Sequence, residues 1–145
     1  MELNIRKENI SDIEQIHEVI TAAFLDVPYS DQSEPFIVKS LRDSGALAAS
    51  LLAERDGHVL AHVALSPVSV SNLADGWYGL GPISVAPAEQ SKGIGSQLMF
   101  AAMEALKELG AKGCVLLGDP KFYQRFGFRP VAGLVYPGVP QEYFQ

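Results

Sequence analysis

The chain has a single cysteine, Cys114, among its 145 residues. It cannot form an internal disulfide, which fits a reducing compartment and an expected cytoplasmic location. No apolar run approaches the roughly 20 residues that cross a bilayer. The opening Met1-Glu2-Leu3-Asn4-Ile5-Arg6-Lys7 lacks the basic-then-apolar order of a secretory signal. Basic clusters are also scarce. Eleven Lys and Arg stand against 17 Asp and Glu, a formal net charge of −6. Contacts to a phosphate backbone need grouped cations, so nucleic acid is excluded as the main ligand. The acidic balance suits a cationic substrate, as it also suits an inert surface. No Cys or His grouping has metal-ligand spacing, and no metal is expected. Repeats, low-complexity tracts and long linkers are missing, so residues 1–145 form one expected domain.

What is present is enough apolar material for a core. Hydrophobic residues make up 48% and charged residues 19%, the balance of a globular fold rather than a disordered one. Leu3 and Ile5 alternate with polar residues as a short strand. Ser11 and Glu14 fit a capping box, and Ile13, Ile16, Ile20 and Phe24 recur at helical spacing behind it. A loop over 26–32 follows, with Pro28, Tyr29, Ser30 and Asp31 expected exposed. A second helix starts at Ser33-Glu34-Pro35, with Phe36, Ile37, Ser40 and Leu41 as its inner face. Two apolar runs, 46–54 and 59–70, flank Asp56-Gly57, a hairpin signal. After a polar turn over 72–76, residues 77–85 read as a strand that Pro82 should make irregular. A helix after Gly95 buries Leu98, Met99, Ala102, Leu106 and Leu109. Cys114-Val115-Leu116-Leu117 suits a strand buried on both faces. Asp119-Pro120 opens a short helix that ends at Gly127. Residues 128–135 read as a last strand before a Pro- and Gly-rich tail. An antiparallel half followed by a crossover half indicates a mixed α/β sheet.

The stretch that organises the chain runs from a buried strand through Gln90-x-x-Gly93-x-Gly95 into a helix. Glycines ahead of a helix let the backbone approach a ligand closely. The first helical N–H groups lack intrahelical partners and carry the positive end of the dipole. Together they make an anion site, most often for phosphate. A Walker loop would need GxxxxGK[ST], which is absent. A Rossmann turn would need GxGxxG and an acidic residue about 20 positions on, and the glycines here are spaced differently. The remaining candidate is an acyl-CoA pyrophosphate loop.

Gln90-x-x-Gly93-x-Gly95 resembles the [QR]xxGx[GA] motif of the GCN5-related N-acetyltransferase (GNAT) superfamily. Phe122-Tyr123-Gln124-Arg125-Phe126-Gly127-Phe128 is similar to that family's FYxxxGF segment. The distance between the two fits the family's helix–strand–helix unit. The wording around Leu80-Gly81-Pro82-Ile83-Ser84-Val85-Ala86-Pro87 and Leu116-Leu117-Gly118-Asp119-Pro120 resembles the bacterial YhbS-like subgroup. Two departures stand out. Many members carry Asn and Ala ahead of the FY pair, where this chain has Gly118-Asp119-Pro120. The family also runs on into a final strand, expected here to be short or missing beyond Tyr143-Phe144-Gln145.

The resemblance implies the GNAT fold: a mostly antiparallel sheet, splayed at the strand ending at Val85 and flanked by about four helices. It implies an acetyl-CoA-dependent N-acetyltransferase, with acetyl-CoA as cosubstrate and a small-molecule or peptide amine as acceptor, in a ternary complex. A non-catalytic acyl-CoA-binding module is the alternative. The implied coenzyme residues are Ile83, Ser84 and Val85 on the strand, then Gln90, Ser91, Lys92, Gly93, Ile94, Gly95 and Ser96. Tyr123 is the implied general acid, since a phenol can reprotonate a thiolate; its other reading is a packing aromatic. Glu54, His62, Asp75 and Glu34 are open as proton acceptors, His62 also as a structural imidazole. Cys114 reads as a small core hydrophobe. Asp26, Asp31 and Glu34 either line an acceptor entrance or are solvated. Family members often form homodimers.

Overall fold

A computed structural model describes residues 2–28, 30–71 and 75–145. Tyr29 and residues 72–74 of the expected polar turn lie outside the described residues. The strands are β1 (Asn4–Lys7), β2 (Ala49–Arg55), β3 (His58–Pro67), β4 (Trp77–Val85) and β5 (Gly113–Val115). The helices are α1 (Ile13–Phe24), α2 (Glu34–Asp43), α3 (Ile94–Glu108) and α4 (Pro120–Tyr123). The strands form one sheet in the order β1-β2-β3-β4-β5. All pairings are antiparallel except β4 with β5. This is the mixed sheet expected from the sequence.

Helices cover both faces of the sheet. Leu51, Ala53, Ala61, Val63 and Leu65 pack on one face with Leu98, Met99 and Ala102 of α3. Leu52 and Ala64 pack on the other with Ile16, Val19 and Ile20 of α1 and Val38 of α2. Because both sides of β2 and β3 are buried, their sequences read as near-continuous apolar runs. Asp56 and Gly57 join them with φ of 54° and 80°, the left-handed pair that a two-residue hairpin needs.

Several local expectations are corrected. The turn into α1 is organised by Asn9 and Asp12, not by Ser11 and Glu14. The Asn9 N–H donates to the Asp12 carboxylate at 2.6 Å, and Arg6 grips the same carboxylate at 2.7 and 2.9 Å. That ion pair starts a 3-10 turn at Ile10. On α2 the buried residues are Pro35 and Val38, while Phe36 and Ile37 are exposed. The true inner face includes Arg42, whose guanidinium reaches Glu8 at 2.8 and 2.9 Å. A buried-face arginine is invisible to a search for apolar spacing. Leu109 lies exposed where α3 ends, since the closing bonds Gly110 N–H to Lys107 C=O and Ala111 N–H to Leu106 C=O turn the chain there.

The expected strand over 128–135 does not form. Pro130 offers no ladder donor, and the Leu134 N–H donates to Val131 C=O in a turn. Residues 143–145 lie beside the chain just past the end of β5. Leu116 and Gln145 exchange N–H···O bonds of 2.8 and 3.0 Å, and Gly118 N–H donates to Tyr143 C=O. Phe144 and Leu117 form the bridge between them.

Candidate functional site

The site begins with a mismatch between neighbouring strands. β5 pairs with β4 only over Trp77, Tyr78 and Gly79. Beyond Gly79 the two separate, so the last six residues of β4 keep a partner on the β3 side alone. Within that half, Val63 pairs with Ile83 and Leu65 with Leu80. Gly81 and Pro82 are thus the bulge that takes up the proline expected to disturb this strand. The Ala86 N–H donates to Leu60 C=O. By the alternation of an antiparallel ladder, Ser84 faces β3 with its backbone, while the N–H groups of Ile83 and Val85 face away from it. The splay expected at the strand ending in Val85 is present.

The loop after β4 turns that open edge toward a helix start. Gln90 folds back so that its Nε2 donates to Val85 C=O at 3.1 Å. Ser91 and Gly93 have φ of 64° and 86°, which aims successive amides to one side as in an anion nest. Gly93 is the N-cap of α3 and supplies no side chain. The first intrahelical bond is Gln97 N–H to Gly93 C=O. The amides of Ile94, Gly95 and Ser96 therefore have no helical acceptor.

A cleft of about 540 Å³ opens over these groups. It is lined by Ile83, Val85, Gln90, Ser91, Gly93, Ile94, Gly95 and Ser96, eight of the ten coenzyme residues expected from the sequence. Phe122 of α4, Arg125, Glu89, Ala23 and Phe24 complete it. Ser84 is turned inward and buried. Lys92 is exposed, with its ammonium 3.6 Å from Glu89. Arg125 is the addition that sequence reasoning missed. Its signal was its place between Phe122 and Gly127, on an element that must return to the helix start.

Tyr123 is buried among Phe122, Phe128 and Gly118. Its ring meets Phe122 edge-on at 4.9 Å and Phe128 at 6.3 Å. The four open proton acceptors lie elsewhere. Glu54 is bonded to Arg6 and Asn4, and the Arg6 bond holds its carboxyl below the usual range. Glu34 accepts from Ser30 Oγ at 2.6 Å. His62 is fully buried on the α1–α2 face of the sheet, where burial pushes its imidazole down to about 4. Asp75 is exposed two residues ahead of β4. None of them lines the cleft. Burial also pushes the Cys114 thiol up to about 12, which leaves it an inert thiol. No group of three or more His, Cys, Asp and Glu that could hold a metal exists among the described residues. Among the same residues, no helix is long and apolar enough to cross a membrane.

The same arrangement recurs in known proteins. A family model described as the acetyltransferase (GNAT) family matches residues 13–128. A crystal structure of a GNAT family acetyltransferase from Brucella melitensis in complex with acetyl-CoA is 47% identical. It has a TM-score of 0.87, with 99% of this chain and 94% of that one covered. The structure of YhbS from Escherichia coli in complex with CoA is 31% identical, with a TM-score of 0.88 over 100% of this chain and 80% of that one. The curated Escherichia coli sequence of YhbS, an uncharacterized N-acetyltransferase, is 36% identical over 111 residues. The match takes in 76% of this chain and 66% of that relative's length. The matched segment contains the splayed strand, the Gln90–Gly95 turn, α3 and the Phe122-to-Phe128 segment in order, and on that ground the chain belongs to the acetyltransferase (GNAT) family.

Proposed function

We propose that the protein binds acetyl-CoA and transfers the acetyl group to an amine by direct attack in a ternary complex. The observation that carries the reading is the junction of two unfilled sets of backbone donors in one cleft. The amides at the start of α3 suit the pyrophosphate. The outward N–H groups of Ile83 and Val85 suit the pantetheine arm, which would add to β4 like a short strand. The two relatives crystallised with acetyl-CoA and CoA support it.

In this mechanism one outward N–H of β4 donates to the thioester carbonyl and stabilises the oxyanion as it forms. A neutral amine attacks the carbonyl carbon. The N–C bond forms, the C–S bond breaks, and the amine's extra proton passes to a base. Tyr123 gives its phenolic proton to the departing thiolate as the C–S bond breaks. The acceptor is a small-molecule or peptide amine.

The reading is tested by acceptor-dependent release of free CoA thiol, corrected for hydrolysis, across a panel of amines. Turnover should appear with at least one amine and fall about 10²-fold or more in Tyr123→Phe. A second reading, a non-catalytic acyl-CoA-binding module, draws on one observation: Phe122 rather than Tyr123 lines the cleft. Tight CoA binding without acceptor-dependent release would favour it.

A further inference from the structure

We infer that Arg125 is a phosphate ligand of the coenzyme, held ready by two aromatic rings rather than by a carboxylate. The inference rests on the acyl-CoA reading and adds a residue and a selectivity to it.

Glu89 and Arg125 are the charged residues on the cleft wall. The charge of Glu89 is already engaged, by Arg55 at 3.2 Å and Lys92 at 3.6 Å. Arg125 has no carboxylate within ion-pair distance among the described residues. Its guanidinium instead stands over Phe122 at 4.9 Å and Phe126 at 5.5 Å. Phe126 is braced in turn by Phe100, edge-on at 5.3 Å. Aromatic faces fix a guanidinium in place without neutralising it.

The polar contacts of Arg125 point the same way. Its Nη2 donates to Ser96 Oγ at 3.3 Å and its Nε to Phe122 C=O at 3.4 Å. Both are long and use two of five N–H donors. Ser96 belongs to the first turn of α3, whose amides are unfilled. An uncompensated, pre-oriented fork beside those amides is the arrangement that binds a phosphate bidentately. Lys92, the cation nearest to those amides in sequence, is turned to Glu89. Two phosphate sources share this chemistry, the pyrophosphate and the 3′-phosphate of the coenzyme.

The test is calorimetric binding of CoA and of dephospho-CoA to wild type, Arg125→Gln and Arg125→Lys, with thermal unfolding of each as a fold control. Arg125→Gln should weaken CoA about tenfold or more, and Arg125→Lys should lose less because it keeps the charge. If the loss disappears with dephospho-CoA, the ligand is the 3′-phosphate; if it persists, the ligand is the pyrophosphate. A folded Arg125→Gln that binds both compounds within twofold of wild type overturns the assignment and leaves the acyl-CoA reading standing. Wild type that binds neither compound overturns the acyl-CoA reading and this assignment with it.

Discussion

The ring of Tyr123 lies against the α-carbon of Gly118. A β-carbon on Gly118 would come within 2.2 Å of Tyr123 Cε2 and 2.8 Å of Cδ2. Gly118 is itself fixed, since its N–H donates to Tyr143 C=O and its C=O accepts from Gln145 Nε2 at 3.0 Å. Residues 143–145 therefore hold the surface on which the proposed general acid rests. Here the chain departs from the Asn and Ala of many family members, and the departure has a packing reason.

Gly118→Ala should accordingly force the buried Tyr123 ring aside. Overpacking of this kind costs about 1–3 kcal/mol. We expect a lower denaturation midpoint in urea and a fall in kcat of several-fold or more, with KM for acetyl-CoA little changed. A variant with wild-type stability and turnover would refute the tight contact.

The two glycines of the loop should respond differently. Gly93 has φ of 86°, and a β-carbon there would meet nothing within 4 Å, so strain rather than space restricts it, by about 1–2 kcal/mol. Gly93→Asp adds a carboxylate where the pyrophosphate should sit and should weaken CoA at least tenfold. At Gly95 a β-carbon would meet Phe122 Cζ at 3.7 Å and Val85 Cγ2 at 3.8 Å, ordinary contacts. Gly95→Ala should keep CoA affinity within about threefold and raise stability by about 0.5 kcal/mol. CoA titrations and thermal unfolding of both variants decide; a folded Gly93→Asp that kept its CoA affinity would mean that the loop is not the phosphate site.

Acid should destabilise the fold through His62. Its Nε2 lies 2.7 Å from Ser50 Oγ, and that hydroxyl is bonded to the Glu8 carboxylate. A carboxylate only accepts, so Ser50 donates to Glu8 and accepts from His62 Nε2–H, leaving Nδ1 as a bare acceptor. Burial depresses the imidazole from 6.5 to about 4. The unfolded chain therefore binds a proton between these values that the folded one refuses. Stability is full above pH 6.5 and falls as pH drops toward 4, by on the order of 3 kcal/mol in all. Glu8 belongs to a lower window: burial would raise its carboxyl, but the Arg42 and Ser50 bonds win and hold it below 4.5. Urea unfolding at pH 7, 6 and 5 should show the decline in wild type and a flatter profile in His62→Gln. Parallel profiles would remove His62 as the cause.

Much of the fold was legible because its signals are local. Asp56-Gly57 specifies the hairpin through backbone conformation alone. Pro82 announces an irregular strand because it lacks a donor. Gln90, Gly93 and Gly95 mark the turn into α3 because each acts through a neighbour within a few residues. The inner face of α2 was not legible, because half-buried Arg42 is held there by Glu8, 34 residues away in sequence. Neither was the failure of 128–135 as a strand, where Leu134 N–H closes a turn on Val131 C=O while residues 143–145 pair with 116–118.

The amino-acid sequence by itself determined the class of sheet and the position of the glycine loop between β4 and α3, both consequences of short-range stereochemistry. The tertiary structure alone decided what surrounds that loop. It separated β5 from β4 after Gly79, set Arg125 over Phe122 and Phe126 beside Ser96, turned Lys92 away to Glu89, and seated Tyr123 on Gly118. The parting of β5 from β4 and the bond of Arg125 to Ser96 join residues far apart in sequence, and only packing across the whole chain selects among the partners that the sequence leaves open.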